Sequence, residues 1–186
     1  RSPRHRSDDQ TPDVTAATAA TIRPATIDDL DELCRLRLEF IADLRGVDPA
    51  EFDPAFVAAT RRFFVDTMAE DRIRSWLAVL DGANVGVVSV LVADMPPLPE
   101  RPLGHEGYIV NMYVDPQGRR RGIARALLDA AVGAAADLGL RGFFLHATAE
   151  GRPLYADAGF VDHHRIMILP TDGIDPRRTT ERPADR

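Results

Sequence analysis

Two apolar runs joined by a tight turn signal constrain this chain more than any other feature. Ser75–Gly82, "SWLAVLDG", and Asn84–Met95, "NVGVVSVLVADM", are rich in Val, Leu and Ala. Between them Asp81-Gly82-Ala83-Asn84 carries the residue types of a β-hairpin turn. The pair commits the middle of the chain to antiparallel sheet.

The flanking segments supply the other elements. "TIRPAT", Thr21–Thr26, is a short strand whose Pro24 suits an edge or a strand end. A helix begins near Ile27, with Asp28, Asp29 and Asp31 in its first turn, where negative charge is favoured, and Gly46 ends it. At 100° per residue Leu30, Leu33, Cys34, Phe40, Ile41 and Leu44 share one stripe, which makes Cys34 a packing residue. A second helix covers about Pro54 to Glu70. After the hairpin, "PPLPERPLG" is a Pro-rich loop and "GYIVNMYV", Gly107–Val114, is the fourth strand. "GIARALLDAAVGAAADLG" is a long helix with Ile123, Leu127, Ala130, Ala131, Ala134 and Leu138 on one face and Gly139 as its stop. "GFFLHAT" (Gly142–Thr148) is a fifth strand, "RPLYADAG" a short helix, and "FVDHHRIMIL" (Phe160–Leu169) a final strand. The order β-α-α-β-β-β-α-β-α-β describes an α+β (mixed α/β) domain, not a doubly wound dinucleotide fold. Residues 1–20 and 171–186 are polar and Pro-containing, and are expected to be a disordered arm and a flexible tail around a folded domain at 21–170.

Charge and cysteine content narrow the partners. With 29 acidic against 23 basic side chains the net charge is −6, which argues against a general nucleic-acid binder. An acidic surface can attract a cationic substrate such as an amine. Cys34 is the only cysteine, so no disulfide framework or Cys-based zinc site is expected, and a single thiol fits a reducing cytoplasm. No apolar run approaches the ~18 residues of a membrane span, and no apolar h-region follows Arg1–Gln10, so no membrane partner is expected. His163-His164 put successive rings on opposite faces and no HExxH pattern occurs, so no metal site is expected. Neither G-x-x-x-x-G-K-[ST] nor G-x-S-x-G is present, which disfavours a phosphate-binding hydrolase or kinase-like domain.

The strand-to-helix junction "VDPQGRRRGIARALL", Val114–Leu128, carries the chemistry. The helix opens with Arg119, Arg120, Arg121 and Gly122, none of which can cap it. Cations are unfavourable at the positive end of the helix dipole. Four backbone N–H groups there lack an intrahelical partner. Gly122 has no Cβ and Ala124 adds little bulk, so a diphosphate could satisfy those donors while the arginines add charge. A solvated basic cluster opening an ordinary helix is equally compatible with these residues alone.

"RRRGIA", Arg119–Ala124, directly after "NMYVDP", resembles the Arg/Gln-x-x-Gly-x-Gly/Ala loop of the GCN5-related N-acetyltransferase (GNAT) superfamily. Downstream, "RPLYADAGF", Arg152–Phe160, resembles that family's Tyr on a short helix ending in Gly-Phe. The element order over Thr21–Pro170 is also similar. The resemblance implies a mixed, mostly antiparallel sheet of about six strands flanked by about four helices, with the fourth and fifth strands splayed. It implies acetyl-CoA as cosubstrate, its diphosphate held by the backbone of Arg119, Arg120, Arg121, Gly122, Ile123 and Ala124, with Arg125 just beyond. It implies that the fourth strand, at Met112, Tyr113 and Val114, pairs with the pantetheine arm. Tyr155 corresponds to the family tyrosine that protonates the departing thiolate. The family often has Asn seven residues and Ala four residues before that Tyr. Here Thr148 and Gly151 stand there, so Thr148 offers a hydroxyl instead of an amide.

The implied reaction is direct attack of a neutral amine on the thioester, without a covalent enzyme intermediate. A base must take the proton of the attacking amine, and Glu106 and His146 are the candidates. A strand-four N–H, at Met112 or a neighbour, would stabilise the oxyanion. The acceptor, in this family, is chosen by the first two helices and nearby loops, here "DLRGVDPAEFDP" and Phe63-Phe64, which spell no particular amine. Homodimerisation is common in the family and is carried as an expectation. A non-catalytic CoA-binding domain of the same fold is the alternative reading.

Overall fold

The computed structural model describes residues 19–96, 99 and 104–162. They form two compact units, divided between Ala147 and Thr148. The first contains β1 (Thr21–Pro24), α1 (Leu30–Arg45), α2 (Pro54–Ala69), β2 (Ile73–Leu80), β3 (Ala83–Asp94), β4 (His105–Val114), α3 (Ile123–Gly133) and β5 (Leu140–Phe144). The second contains α4 (Arg152–Asp157). Five strands form one sheet in the order β1-β2-β3-β4-β5. Every neighbouring pair is antiparallel except β4 and β5, which run parallel. This is the expected α+β architecture, with five strands among the described residues where about six were expected. In the expected sixth strand, Phe160, Val161 and Asp162 are not in a strand, and the remainder lies outside the described residues. Residues 1–18 of the expected arm, and the expected tail at 171–186, also lie outside them.

The β2–β3 hairpin is tighter than its four-residue signal. Leu80 pairs with Ala83, leaving only Asp81 and Gly82 in the loop. Their φ values, 50° and 81°, are both positive, as a type I′ turn needs to match the twist of its strands.

A 3-10 turn at Ile27–Asp29 precedes α1, so the helix starts later than expected. Asp29 accounts for this. Its carboxylate accepts from the Thr26 N–H at 2.9 Å and grips the Arg23 guanidinium at 2.6 and 2.8 Å. The stripe of α1 also needs correcting. Leu36 is fully buried, whereas Leu44 is 58% exposed. A single stripe assumes one packed side, but α1 packs against both α2 and the sheet. Leu30, Leu33, Cys34 and Leu36 therefore join Phe64 of α2 and Ile73, Leu77, Val87 and Tyr113 of the sheet in one core cluster. Each fully buried leucine there contributes about 1.5–3 kcal/mol.

The opposite face of the sheet carries α3. Gly86 alternates with Val87 along β3, and a Cβ on Gly86 would lie 3.2 Å from Leu127. Ile123, Leu127, Leu128 and Ala131 are buried there. Regular helix ends at Gly133, six residues before the expected stop at Gly139, and turns carry the chain onward. Gly139 still closes that segment, because Leu140 N–H donates to Ala135 O at 2.8 Å and Gly139 N–H to Ala136 O at 3.1 Å, the paired bonds of a Schellman motif.

Two irregularities shape β4. Pairing with β5 covers only its first part, from His105↔Leu140 to Tyr108↔Phe144, and β5 stops at Phe144 rather than at Thr148. From Ile109 to Val114, β4 has no β5 partner, in line with the splay that the resemblance implies. In addition, the β3 register passes from Ser89↔Val110 to Val87↔Tyr113, so Asn111 and Met112 stand opposite Val88 alone. This is a β-bulge, and Asn111 adopts φ +56° within it. Among the described residues no helix is long and apolar enough to cross a membrane.

Candidate active site

The loop after β4 is built before the helix it leads into. Asp115 N–H donates to Val85 O at 2.8 Å, and the Asp115 carboxylate caps the short turn Pro116–Gly118 by accepting from Gln117 N–H at 2.8 Å. Arg119 anchors the next step. Its Nε donates to Val114 O at 3.0 Å, its guanidinium pairs with Asp43 of α1, and it lies 5.8 Å from the centre of the Tyr113 ring. The Arg119 side chain therefore fastens the loop to α1, rather than reaching into solvent as a ligand-binding cation.

Arg120 takes φ +61° and Gly122 φ +75°, and Gly122 occupies the N-cap position of α3 without any side-chain cap. The uncapped start inferred from the sequence is present. The reason for glycine differs from close packing, because a Cβ at Gly122 would meet nothing within 4 Å. What requires glycine is the left-handed backbone, and it leaves open space beside the unpaired N–H groups. Ile123 is buried, so only its main chain is available to a ligand. Ala124 is half-buried, while Arg120 and Arg121 are exposed. Arg125 Nε donates to Asp129 at 2.8 Å on the helix surface.

On β4, Met112 is half-buried and belongs to the bulge, while the side chains of Tyr113 and Val114 are buried. Tyr113 packs against Phe40 with ring centres 6.1 Å apart. Ligand contacts here would come from backbone groups, on the edge that β5 does not cover. Asn111 was not singled out from the sequence, yet it is only 3% exposed and neither polar atom of its carboxamide has a partner among the described residues. Its signal was a lone polar residue, tolerant of positive φ, in the apolar run "GYIVNMYV".

One candidate base is bonded to a residue the sequence reading passed over, Tyr108, and the other shares its face of the strand. Glu106 and Tyr108 stand opposite Ala93 and Leu91 and so share one face of β4. The Tyr108 ring stacks on Phe144, 4.7 Å between centres and 3° between planes. Its hydroxyl is hydrogen-bonded to His146 Nδ1 at 2.8 Å, the direction set by the imidazole tautomer. His146 lies beyond the end of β5 rather than within it, and is exposed. Its ring lies edge-on to that of Tyr108. Of the acceptor-region aromatics, Phe64 is core and Phe63 is 42% exposed. Among the described residues no group of three or more His, Cys, Asp or Glu side chains could hold a metal ion. His163 and His164 lie outside those residues. Cys34 is buried, and burial pushes its thiol above the ordinary value.

In the second unit, Thr148 closes the turn into α4. Its Oγ1 accepts from Gly151 N–H at 3.1 Å and its carbonyl accepts from Arg152 N–H at 3.1 Å. The hydroxyl proton is not consumed by that bond. Tyr155 is buried, its ring 5.7 Å from that of Phe160, and burial raises its phenol pKa. Phe160 N–H donates to Tyr155 O at 3.0 Å, which explains locally why Gly-Phe follows the short helix.

Comparison with known proteins agrees with this geometry. The model of the acetyltransferase (GNAT) family matches residues 37–160. A predicted acetyltransferase from Clostridium acetobutylicum, solved with acetyl-CoA, is 28% identical, with a TM-score of 0.72 over 81% of this chain and 96% of that one. A GCN5-related N-acetyltransferase from Ralstonia eutropha JMP134 is 34% identical, with a TM-score of 0.68 over 83% of this chain and 100% of that one. The Arabidopsis thaliana glucosamine-6-phosphate N-acetyltransferase shares the fold at 16% identity and a TM-score of 0.63, over 83% of this chain and 100% of its own. Among curated proteins none matches the chain significantly. From its loop, its splayed sheet and its family match, the chain belongs to the acetyltransferase (GNAT) family.

Proposed function

We propose that this protein is an acetyl-CoA-dependent N-acetyltransferase acting on a primary amine by direct attack in a ternary complex. The observation that carries the reading is the uncapped start of α3, where Gly122 at φ +75° faces open space at the end of the loop that follows a strand whose second half lacks a β5 partner. Backbone N–H groups at a helix start form an anion site. The residues fit a diphosphate through the main chain up to Ala124, around the Gly122 N-cap, with Arg120 and Arg121 adding positive charge nearby. The unpaired edge of β4 fits the amides of a pantetheine arm, as strand edges accept extended ligands.

Bound acetyl-CoA would supply an acyl group activated as a thioester. The chain's own residues supply the rest. Glu106 or His146 takes the proton shed by the attacking nitrogen, and the Tyr108–His146 hydrogen bond holds the imidazole in place. A main-chain N–H of the β4 bulge, at Met112 or its neighbour, would stabilise the developing oxyanion. By its motif, Tyr155 donates a proton to the departing thiolate, and a buried phenol with a raised pKa is protonated and able to donate at neutral pH. The chain's only thiol, Cys34, is in the core, in keeping with a route that forms no acyl-enzyme on cysteine. The test is an amine panel with acetyl-CoA, following thiol release and the mass of acetylated product. Binding of acetyl-CoA without acetylation of any amine would favour a non-catalytic CoA-binding domain.

A further inference from the structure

One cation of α1 takes no part in the cofactor loop. Arg37 is half-buried, and its guanidinium lies 5.7 Å from the centre of the Phe40 ring. Burial lowers its pKa below the usual guanidinium value, and the Tyr108 phenol is close enough to act on it electrostatically. Among the described residues Arg37 makes no ion pair. The acids nearest along the helix are engaged elsewhere. Arg35 holds Glu32 at 2.8 Å and Glu39 at 2.7 Å, and Arg119 holds Asp43.

Glu106 mirrors this situation on the sheet. It shares the face of Tyr108, about 7 Å along the strand by the usual rise per residue, and makes no ion pair among the described residues. A half-buried guanidinium and a half-buried carboxylate thus lie around one tyrosine without neutralising each other. Charges withdrawn from water need a partner, and a pair kept apart is complementary to a ligand with both signs. The stacked Tyr108 and Phe144 rings give that ligand a flat apolar wall.

We propose that Arg37 recognises an anionic group of the acceptor, so that the acceptor is an amine carrying a carboxylate or phosphate at its other end. This rests on the acetyltransferase reading. The guanidinium fork takes the oxyanion in a bidentate pair, which holds the amine end toward Glu106 and His146. Arg37 is a specificity-determining residue here, separate from the groups that move protons.

The test uses the full chain and acetyl-CoA, with ω-amino acids from glycine to 6-aminohexanoate, each against the alkylamine of equal length, and phosphoethanolamine against ethanolamine. In at least one pair the anionic member has a kcat/KM higher by about tenfold or more, the scale of a charge-assisted hydrogen bond. Arg37→Gln removes that preference with little change for the amine that lacks the anionic group, Arg37→Lys restores part of it, and the melting temperature of each variant shows that it is folded. No preference for the anion in any pair, or a preference that survives Arg37→Gln, would overturn the proposal. If no amine is acetylated, the acetyltransferase reading fails, and NMR decides this proposal separately. The Arg37 Nε–H resonance shifts on titration with 6-aminohexanoate and not with hexylamine, and an unmoved resonance overturns it.

Discussion

Gly122→Ala separates the two demands placed on the start of α3. An alanine forced to φ +75° costs about 1–2 kcal/mol. The new methyl meets nothing within 4 Å, so no steric term is added within the protein. For a chain of this size about 1 kcal/mol moves the melting temperature by about 2–4 °C, which places the unliganded variant about 2–8 °C below wild type. Acetyl-CoA at a hundred times its Kd stabilises wild type by about 2.7 kcal/mol, or about 5–11 °C. In the variant the methyl occupies the space beside the unpaired N–H groups. A hundredfold loss of affinity would leave only about 0.4 kcal/mol of stabilisation, under about 2 °C. Differential scanning fluorimetry with and without acetyl-CoA reads both quantities. An unliganded loss well beyond about 10 °C would refute the backbone reasoning, and an undiminished acetyl-CoA shift would refute the site.

Other substitutions probe the remaining parts. Tyr155→Phe is expected to lower kcat by about 10²–10⁴ while acetyl-CoA still binds. Because burial holds the phenol above its ordinary value, the wild-type pH–rate profile should show no loss from this acid through about pH 9. Arg23 and a Thr26 N–H depress the Asp29 carboxyl to about 2, below the ordinary 3.8. Its contribution to stability is therefore present above about pH 4 and lost as pH falls through about 2. Acid unfolding of Asp29→Asn should show a shallower loss over that window than wild type. At the bulge, Asn111→Val places a β-branched residue at φ +56°, where Asn is tolerated. It should cost more than about 2 kcal/mol by denaturant unfolding, and Asn111→Gly clearly less.

The parts of the fold legible in the sequence were those set by local chemistry. Asp-Gly between two apolar runs fixed a hairpin, Gly46 ended α1, and the helix before Ile123 starts without a side-chain cap, as its residues implied. Features set by the neighbours of an element were not legible. Leu36 is buried because α1 meets both α2 and the sheet, which a single hydrophobic stripe does not express. The end of β5 at Phe144 depends on where β4 turns away from it, not on the run "GFFLHAT" itself. The site divides along the same line. The motif located the loop and Tyr155, but the contacts that use Arg119 as a strut and join Tyr108 to His146 span 76 and 38 residues of chain. Periodicity carries no record of such pairings.

The most direct test of the proposed function is the product of a single incubation with acetyl-CoA and the amine panel. Mass spectrometry should find one amine heavier by an acetyl group, with one free thiol released per product and loss of that yield in Tyr155→Phe. Acetyl-CoA bound and left intact in the presence of every amine would contradict it.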